Sequence, residues 1–269
     1  MEENRESLSG NGLPLVNKKL KQRDSFEYYL IKKVAKTIKR FGMIQKGDRI
    51  IVGVSGGKDS LTLLRVLSLR RGIYPNDYEL LAVHVASNTG CKGEADRKVL
   101  EDYFRSEGYN YKIVEFNLWP GKKGINTFWC SWNRRRVLFE TANKLGYNKI
   151  ALAHHRNDVI ETLLMNMFYH AELSTMQPLQ PLFEGKITII RPLYYIPESD
   201  TIAYAKKHSI PTVHCRCPIE GETPRELFKR VINEIERKNP QAGINALRAL
   251  ENIKLEYLPA SAVKEDVDV

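Results

Sequence analysis

The sequence predicts an α/β fold: an open, mostly parallel five-stranded sheet with helices on both faces and helical additions at the N- and C-terminal ends. Two observations predict it. Short β-branched runs alternate with helical patterns through the middle of the chain, and a glycine-rich turn sits directly between a strand and a helix. No internal repeat or low-complexity tract argues for another architecture.

The elements follow in order. Residues 1–24 are polar, contain the basic run Lys18-Lys19-Leu20-Lys21-Gln22-Arg23, and read as a flexible arm. Phe26, Tyr29, Leu30, Val34 and Ile38 recur at helical spacing, predicting a helix from Ser25 to about Phe41 with a basic opposite face. Ile50-Ile51-Val52-Gly53-Val54 reads as a buried strand, followed by a helix over Ser60–Arg71 and a strand over Leu80–Val85. Next come a helix at Ala95–Glu107, a strand at Tyr111–Phe116 and a helix from about Asn133 to Leu145. A strand at Lys149–Ala153, a helix at Asp158–Tyr169 and a strand at Ile187–Ile190 complete the alternation. Beyond Pro197 the pattern is a helix, a loop around Cys215, and helices at Pro224–Lys238 and Ala242–Leu255. The expected organisation is one α/β domain over 25–258, preceded by the arm and followed by an acidic tail at 259–269.

Composition narrows the class. Of 269 residues 42% are hydrophobic, enough for a sizeable core, which excludes a disordered or collagen-like chain. No apolar run approaches the roughly 18 residues of a membrane span, and MEENRESLSGNGLPLVNKK contains no signal-like apolar stretch. A cytoplasmic protein without a membrane partner is therefore expected. Lys and Arg total 42 against 32 Asp and Glu, a net charge of +10 that suits a polyanionic partner, nucleic acid first. The four cysteines, Cys91, Cys130, Cys215 and Cys217, read in a reducing compartment as packed residues, metal ligands or reactive thiols.

The strongest motif is Ser55-Gly56-Gly57-Lys58-Asp59-Ser60, directly after a strand and opening a helix. Two glycines let the backbone turn tightly and bring its N–H groups near a ligand, and the helix N-terminus adds orphan donors and a positive dipole end. Lys58 suits a phosphate oxygen, while Asp59 suits the ordering of the loop or of a magnesium ion. The spacing matches neither G-x-x-x-x-G-K-[ST] nor G-x-G-x-x-G.

The loop resembles the PP-loop of the ATP pyrophosphatases, which belong to the adenine nucleotide alpha hydrolase-like folds and whose SGGxDS motif binds the pyrophosphate released when ATP adenylates a substrate. Within that superfamily, several segments are similar to the tRNA 2-thiocytidine synthetases. These are Gly42-Met43-Ile44 through Ile50, Leu61-Thr62-Leu63-Leu64, Ala153-His154-His155-Arg156-Asn157-Asp158 with Glu161-Thr162, and Arg191-Pro192-Leu193. The likeness runs from about Lys19 to Leu258. It implies ATP and Mg2+ as cofactors and tRNA, ATP and a persulfide or sulfide donor as partners, with homodimers common. It also implies nucleotide contacts from the loop, from His84 at the end of the second strand, and from His154 and Asp158.

The resemblance further implies a 4Fe–4S cluster held by three cysteines, here Cys130, Cys215 and Cys217, with Cys130, Cys217 and Asp59 serving catalysis. Two positions depart from the family pattern: Thr127 stands where the first cysteine of a C-x-x-C falls, and Asn157 replaces an Asp. Arg134-Arg135-Arg136 beside Cys130 suit tRNA phosphates, and Phe128, Trp129 and Trp132 suit stacking on an unpaired base. The expected reaction adenylates the C2 oxygen of an anticodon-loop cytidine and replaces it with sulfur. A lysidine synthetase-like ligase, and a lapsed enzyme that only binds tRNA or nucleotide, are the alternatives.

Overall fold

The computed structural model describes residues 24–71, 78–87, 94–116, 127–213 and 224–258. They fall into two units: residues up to 155 together with 177–220, and residues 156–176 together with those from 221 onward. The first contains the sheet.

Its strands are β1 (Arg49–Val54), β2 (Glu79–Ser87), β3 (Tyr111–Phe116), β4 (Lys149–Ala151), β5 (Leu179–Leu182) and β6 (Ile187–Ile190). They lie in the order β3-β2-β1-β4-β6-β5, parallel throughout except for the antiparallel β5–β6 pair. Among the described residues, six strands replace the five expected. Leu179-Gln180-Pro181-Leu182 lacks the β-branched signature, and Pro181 is tolerated because β5 is an edge strand that needs no second ladder.

Among the described residues, five helices belong to this unit: α1 (Ser25–Arg40), α2 (Lys58–Arg71), α3 (Glu94–Ser106), α4 (Thr127–Leu145) and α6 (Glu198–Lys207). The second unit contains α5 (Arg156–Tyr169), α7 (Pro224–Lys238) and α8 (Ala242–Ala249). Several boundaries move. Helix α4 starts six positions before Asn133, because that residue sits inside the helix and donates from Nδ2 to the Trp129 carbonyl at 2.8 Å. Strand β4 stops at Ala151, with one more sheet bond from Leu152 N to Ile190 O. Helix α8 ends at Ala249 because Leu250, Glu251 and Asn252 tighten into i→i+3 bonds, and a 3-10 turn at Leu255–Tyr257 follows.

Strand β1 explains itself physically. Ile50, Ile51, Val52 and Val54 are all buried, as a central parallel strand requires. Ile50, Val52 and Val54 join the core that includes Leu30, Leu61 and Tyr204, while Ile51 joins the one with Val137, Leu138 and Ala142 of α4. Gly53 permits the close approach on this second side: a Cβ there would lie 3.1 Å from both Leu138 Cδ1 and Leu152 Cδ2.

The amino ends of β1 and β4 are tied by a buried pair. Lys149 Nζ lies 2.6 Å from Asp48 Oδ2 and donates to the Met43 carbonyl at 2.8 Å. Asn148 Nδ2 and Gln45 N also donate to the Asp48 carboxylate, so both charges are hydrogen-bonded where water is scarce. Strands β1 and β4 straddle the point where the strand order reverses, and open α/β sheets bind ligands outside the carboxyl ends of strands at such a point.

Candidate active site

The loop after β1 is organised by hydrogen bonds of its own. Gly56 adopts φ 85, a left-handed value that favours glycine. Ser55 Oγ accepts from Gly57 N at 3.3 Å, and Ser60 Oγ accepts from Ser55 N at 3.2 Å while donating to Gly57 O at 2.9 Å. Val213 N holds the Gly56 carbonyl at 2.8 Å. Helix α2 opens at Lys58, two positions before the predicted start, so Ser60 lies in its first turn and staples the loop to it.

Lys58 and Asp59 meet a partner the sequence reading had not singled out. Lys58 Nζ lies 2.9 Å from Asp59 Oδ2 and 3.0 Å from Glu198 Oε1 on the first turn of α6. Burial alone would lower the Lys58 pKa, but hydrogen bonds and charge from Asp59 and Glu198 outweigh it and hold the ammonium above the ordinary lysine range. Thr201 Oγ1 donates to Asp59 Oδ1 at 2.5 Å and lies 2.9 Å from the Glu198 carbonyl. His155, just beyond β4 and 5% exposed, places Nε2 3.9 Å from both Asp59 Oδ2 and Glu198 Oε1. Three segments far apart in sequence thus converge at the switch point.

His154 points to another partner. Arg191 Nε donates to His154 Nδ1 at 3.2 Å, while the guanidinium also bonds the Gln177 carbonyl and Gln180 Oε1. Burial, and then repulsion from Arg135, bring the Arg191 pKa down to about 10. Arg191 stays charged at neutral pH, so this edge of the site is strongly positive. Its sequence signal was the noted Arg191-Pro192-Leu193; Glu198 and Thr201 had none beyond their place in a helix start.

The remaining expected residues are distributed as follows. His84 lies inside β2, which runs on to Ser87; it is 3% exposed and its Nδ1 pairs with the Val54 carbonyl at 2.8 Å. Its ring supports the end of β1. Asp158 lies in the second unit, with Oδ1 3.7 Å from Arg225 Nη1; the same guanidinium faces Glu161 Oε2 at 3.5 Å. Asn157 is 3% exposed. Cys130, on the first turns of α4, is 8% exposed and packs in the core with Val85, Phe116 and Val137. Thr127 is the first residue of that helix. Cys91, Cys215 and Cys217 lie outside the described residues. Among the described residues, no group of three or more His, Cys, Asp or Glu is placed to hold a metal ion.

Trp129 and Trp132 are exposed and meet edge to face at 5.5 Å, with the Arg136 guanidinium 5.7 Å above Trp132. Among the described residues, no helix is long and apolar enough to cross a membrane.

A mostly parallel α/β sheet with a stapled anion loop and a half-buried lysine–carboxylate cluster at its switch point defines a phosphate-binding α/β protein of the PP-loop type. The PP-loop domain family model matches residues 28–217. A tRNA-cytidine(32) 2-sulfurtransferase of Geobacter sulfurreducens is 38% identical over 247 residues, covering 87% of this chain and 94% of that protein. The protein of the same name from Tolumonas auensis is 36% identical over 252 residues, covering 90% and 80%. The chain belongs to the PP-loop domain family, in the branch of the tRNA-cytidine(32) 2-sulfurtransferases. In fold it is similar to the U34-tRNA thiolase NcsA from Methanococcus maripaludis, solved with its [4Fe-4S] cluster. That likeness has a TM-score of 0.69 at 22% identity, over 87% of this chain and 80% of that one.

Proposed function

We propose that this chain is an ATP-dependent tRNA sulfurtransferase that converts an anticodon-loop cytidine to 2-thiocytidine. The observation that carries the reading is the 38% identity spanning 94% of a tRNA-cytidine(32) 2-sulfurtransferase, on a chain whose loop and Lys58–Asp59–Glu198 cluster assemble at the sheet's switch point.

The chemistry proceeds in two displacements. The cytidine O2 attacks the α-phosphorus of ATP, the bond to the bridging oxygen breaks, and pyrophosphate leaves. Sulfide sulfur then adds at C2, the C2–O bond breaks, and AMP departs with the former carbonyl oxygen. Loop N–H groups and the amino end of α2 face the leaving pyrophosphate, where fixed donors stabilise developing charge. Nucleotide binding lets Lys58 exchange a carboxylate partner for a phosphate oxygen.

The carboxylates of Asp59 and Glu198 are hard oxygen donors within reach of one cation, a fit for Mg2+, which commonly takes one or two carboxylates plus substrate phosphates. Bound there, Mg2+ would neutralise phosphate charge. The Arg191 guanidinium, beside His154, would hold the anionic AMP group. For the sulfur half, the Cys130 thiol lies in an apolar wall, a donor and setting that suit a 4Fe–4S cluster completed by Cys215 and Cys217. Such a cluster would supply an iron site that holds sulfide. The proposed sulfur donor is a persulfide or sulfide, the compartment cytoplasmic and the assembly a homodimer.

Mass spectrometry of nucleosides from total tRNA, with and without the gene, tests the reading. Specific loss of 2-thiocytidine is expected. Persistence of 2-thiocytidine with loss of lysidine or another base would replace the reading, and no change in any nucleoside would point to a lapsed enzyme.

A further inference from the structure

A second charged site lies away from the PP-loop. Helix α1 buries Leu30, Ile31, Val34 and Ile38 against the core, and its other face presents Lys32, Lys33, Lys36 and Lys39. Positions 32, 36 and 39 fall at i, i+4 and i+7, so they form one stripe about 10 Å long at 1.5 Å per residue. Beyond the helix, left-handed glycines at Gly42 and Gly47 turn the chain back and bring Lys46 beside the stripe. Together these residues wall a cavity of about 840 Å³, with the 4% exposed Arg70 also lining it.

The charge of this groove is one-sided. Six cations line it, and its described lining includes no carboxylate; Lys33 pairs with a neighbour outside it, Asp200 Oδ2 at 3.4 Å. A fold maintains such a concentration of like charge at a cost in self-repulsion, which a bound polyanion relieves. That Lys33–Asp200 contact also locates the groove: Asp200 is two positions from Glu198, whose carboxylate touches Lys58. The contact joins α1 to α6, the helix whose first turn carries Glu198.

We propose that this groove is the track for the sugar-phosphate backbone of the tRNA substrate, and that it positions the RNA while other residues select the base. The inference rests on the tRNA reading above and assigns that substrate a surface. Ammonium groups on flexible stems, with no planar fork to read base edges, suit sequence-independent phosphate contacts. An aromatic ring at the same edge, Tyr29, is covered by Lys33 at 4.5 Å.

The test uses the full chain with a fluorescent tRNA transcript carrying cytidine at the target position. Binding is measured from about 50 to 300 mM salt. For K32Q/K36Q/K39Q, the slope of log affinity against log salt should fall by about 2 to 3, and low-salt affinity should drop about tenfold or more. ATP affinity should stay as in the wild type, and thiolation at saturating tRNA should persist. A folded triple variant with wild-type tRNA affinity and salt slope would overturn the groove while leaving the enzymatic reading intact. A changed oligomeric state with unchanged tRNA affinity would assign the groove to a second copy and overturn the inference. No tRNA binding by the wild-type chain would overturn both the groove and the reading beneath it.

Discussion

Lys58 Nζ and Glu198 Oε1 lie 3.0 Å apart although the residues are 140 positions apart in sequence. The contact joins the phosphate loop to the first turn of α6, and it sets where the lysine charge sits before nucleotide binds. Glu198→Gln keeps the shape and removes the charge. Misplacing a reacting group can cost on the order of 100-fold in rate, so a fall in kcat for pyrophosphate release of roughly tenfold to 100-fold is expected. A variant with wild-type kcat would show that the contact is only structural.

Asp59 has more partners: Lys58, Thr201 and, at 3.9 Å, His155. Asp59→Asn should lower tRNA-dependent pyrophosphate release by about 100-fold or more, the scale of losing one preorganised electrostatic group. Circular dichroism should remain that of the folded chain. Raising Mg2+ should restore part of the rate if the carboxylate helps hold the ion.

Charge on Lys58 has a definite pH signature. Its folded pKa is raised above the ordinary 10.5 by Asp59 and Glu198 in spite of burial. Its stabilising contribution is therefore complete below the unfolded value and disappears as pH rises through the higher folded one. The difference in unfolding free energy between wild type and Lys58→Met should be flat from about pH 7 to 9 and shrink only above the unfolded lysine pKa. Shrinkage near neutrality would mean that the carboxylates do not support the ammonium.

The Asp48–Lys149 pair is the contact whose loss should most affect folding. Asp48→Ala leaves the Lys149 ammonium buried without its carboxylate, and breaking a buried pair this way costs about 3–5 kcal/mol. Urea unfolding should show a lower midpoint with little change in slope. The double variant Asp48→Ala/Lys149→Met should recover much of the loss, since neither charge then remains.

Cys130→Ala separates the two halves of the proposed reaction. The side chain is small and buried, so the fold should survive a loss of about 1 kcal/mol. Sulfur incorporation should vanish while ATP binding persists, and any visible absorbance of an iron–sulfur cluster should fall with it. Normal thiolation by this variant would remove Cys130 from the sulfur chemistry.

Local features were legible because they depend on neighbours in sequence. The period of Leu30, Ile31, Val34 and Ile38 announces α1, the β-branched run announces β1, and Ser55–Ser60 announces an anion loop from its glycines and its place between strand and helix. Those signals act over a few residues, through steric preference, side-chain periodicity and hydrogen bonding within one turn. Asn133 shows their limit: an N-cap type of residue suggests a helix start, yet α4 begins at Thr127 and the Asn133 amide donates inside the helix to the Trp129 carbonyl.

The loop sequence and the strand and helix periods by themselves determined an α/β protein with an anion loop between strand and helix and a basic face on α1, and the resemblance of Ser55–Ser60 to a PP-loop pointed to the family. Only the tertiary structure decided that Glu198 and Thr201 would meet Lys58 and Asp59, and that Arg191 would bond His154. It also decided that the His84 ring would support the end of β1 and that Pro181 would sit in an edge strand. The reason is physical. Sheet order and helix docking bring distant positions within hydrogen-bond reach, and a side chain's role then depends on charge and burial that its own neighbours in sequence do not specify.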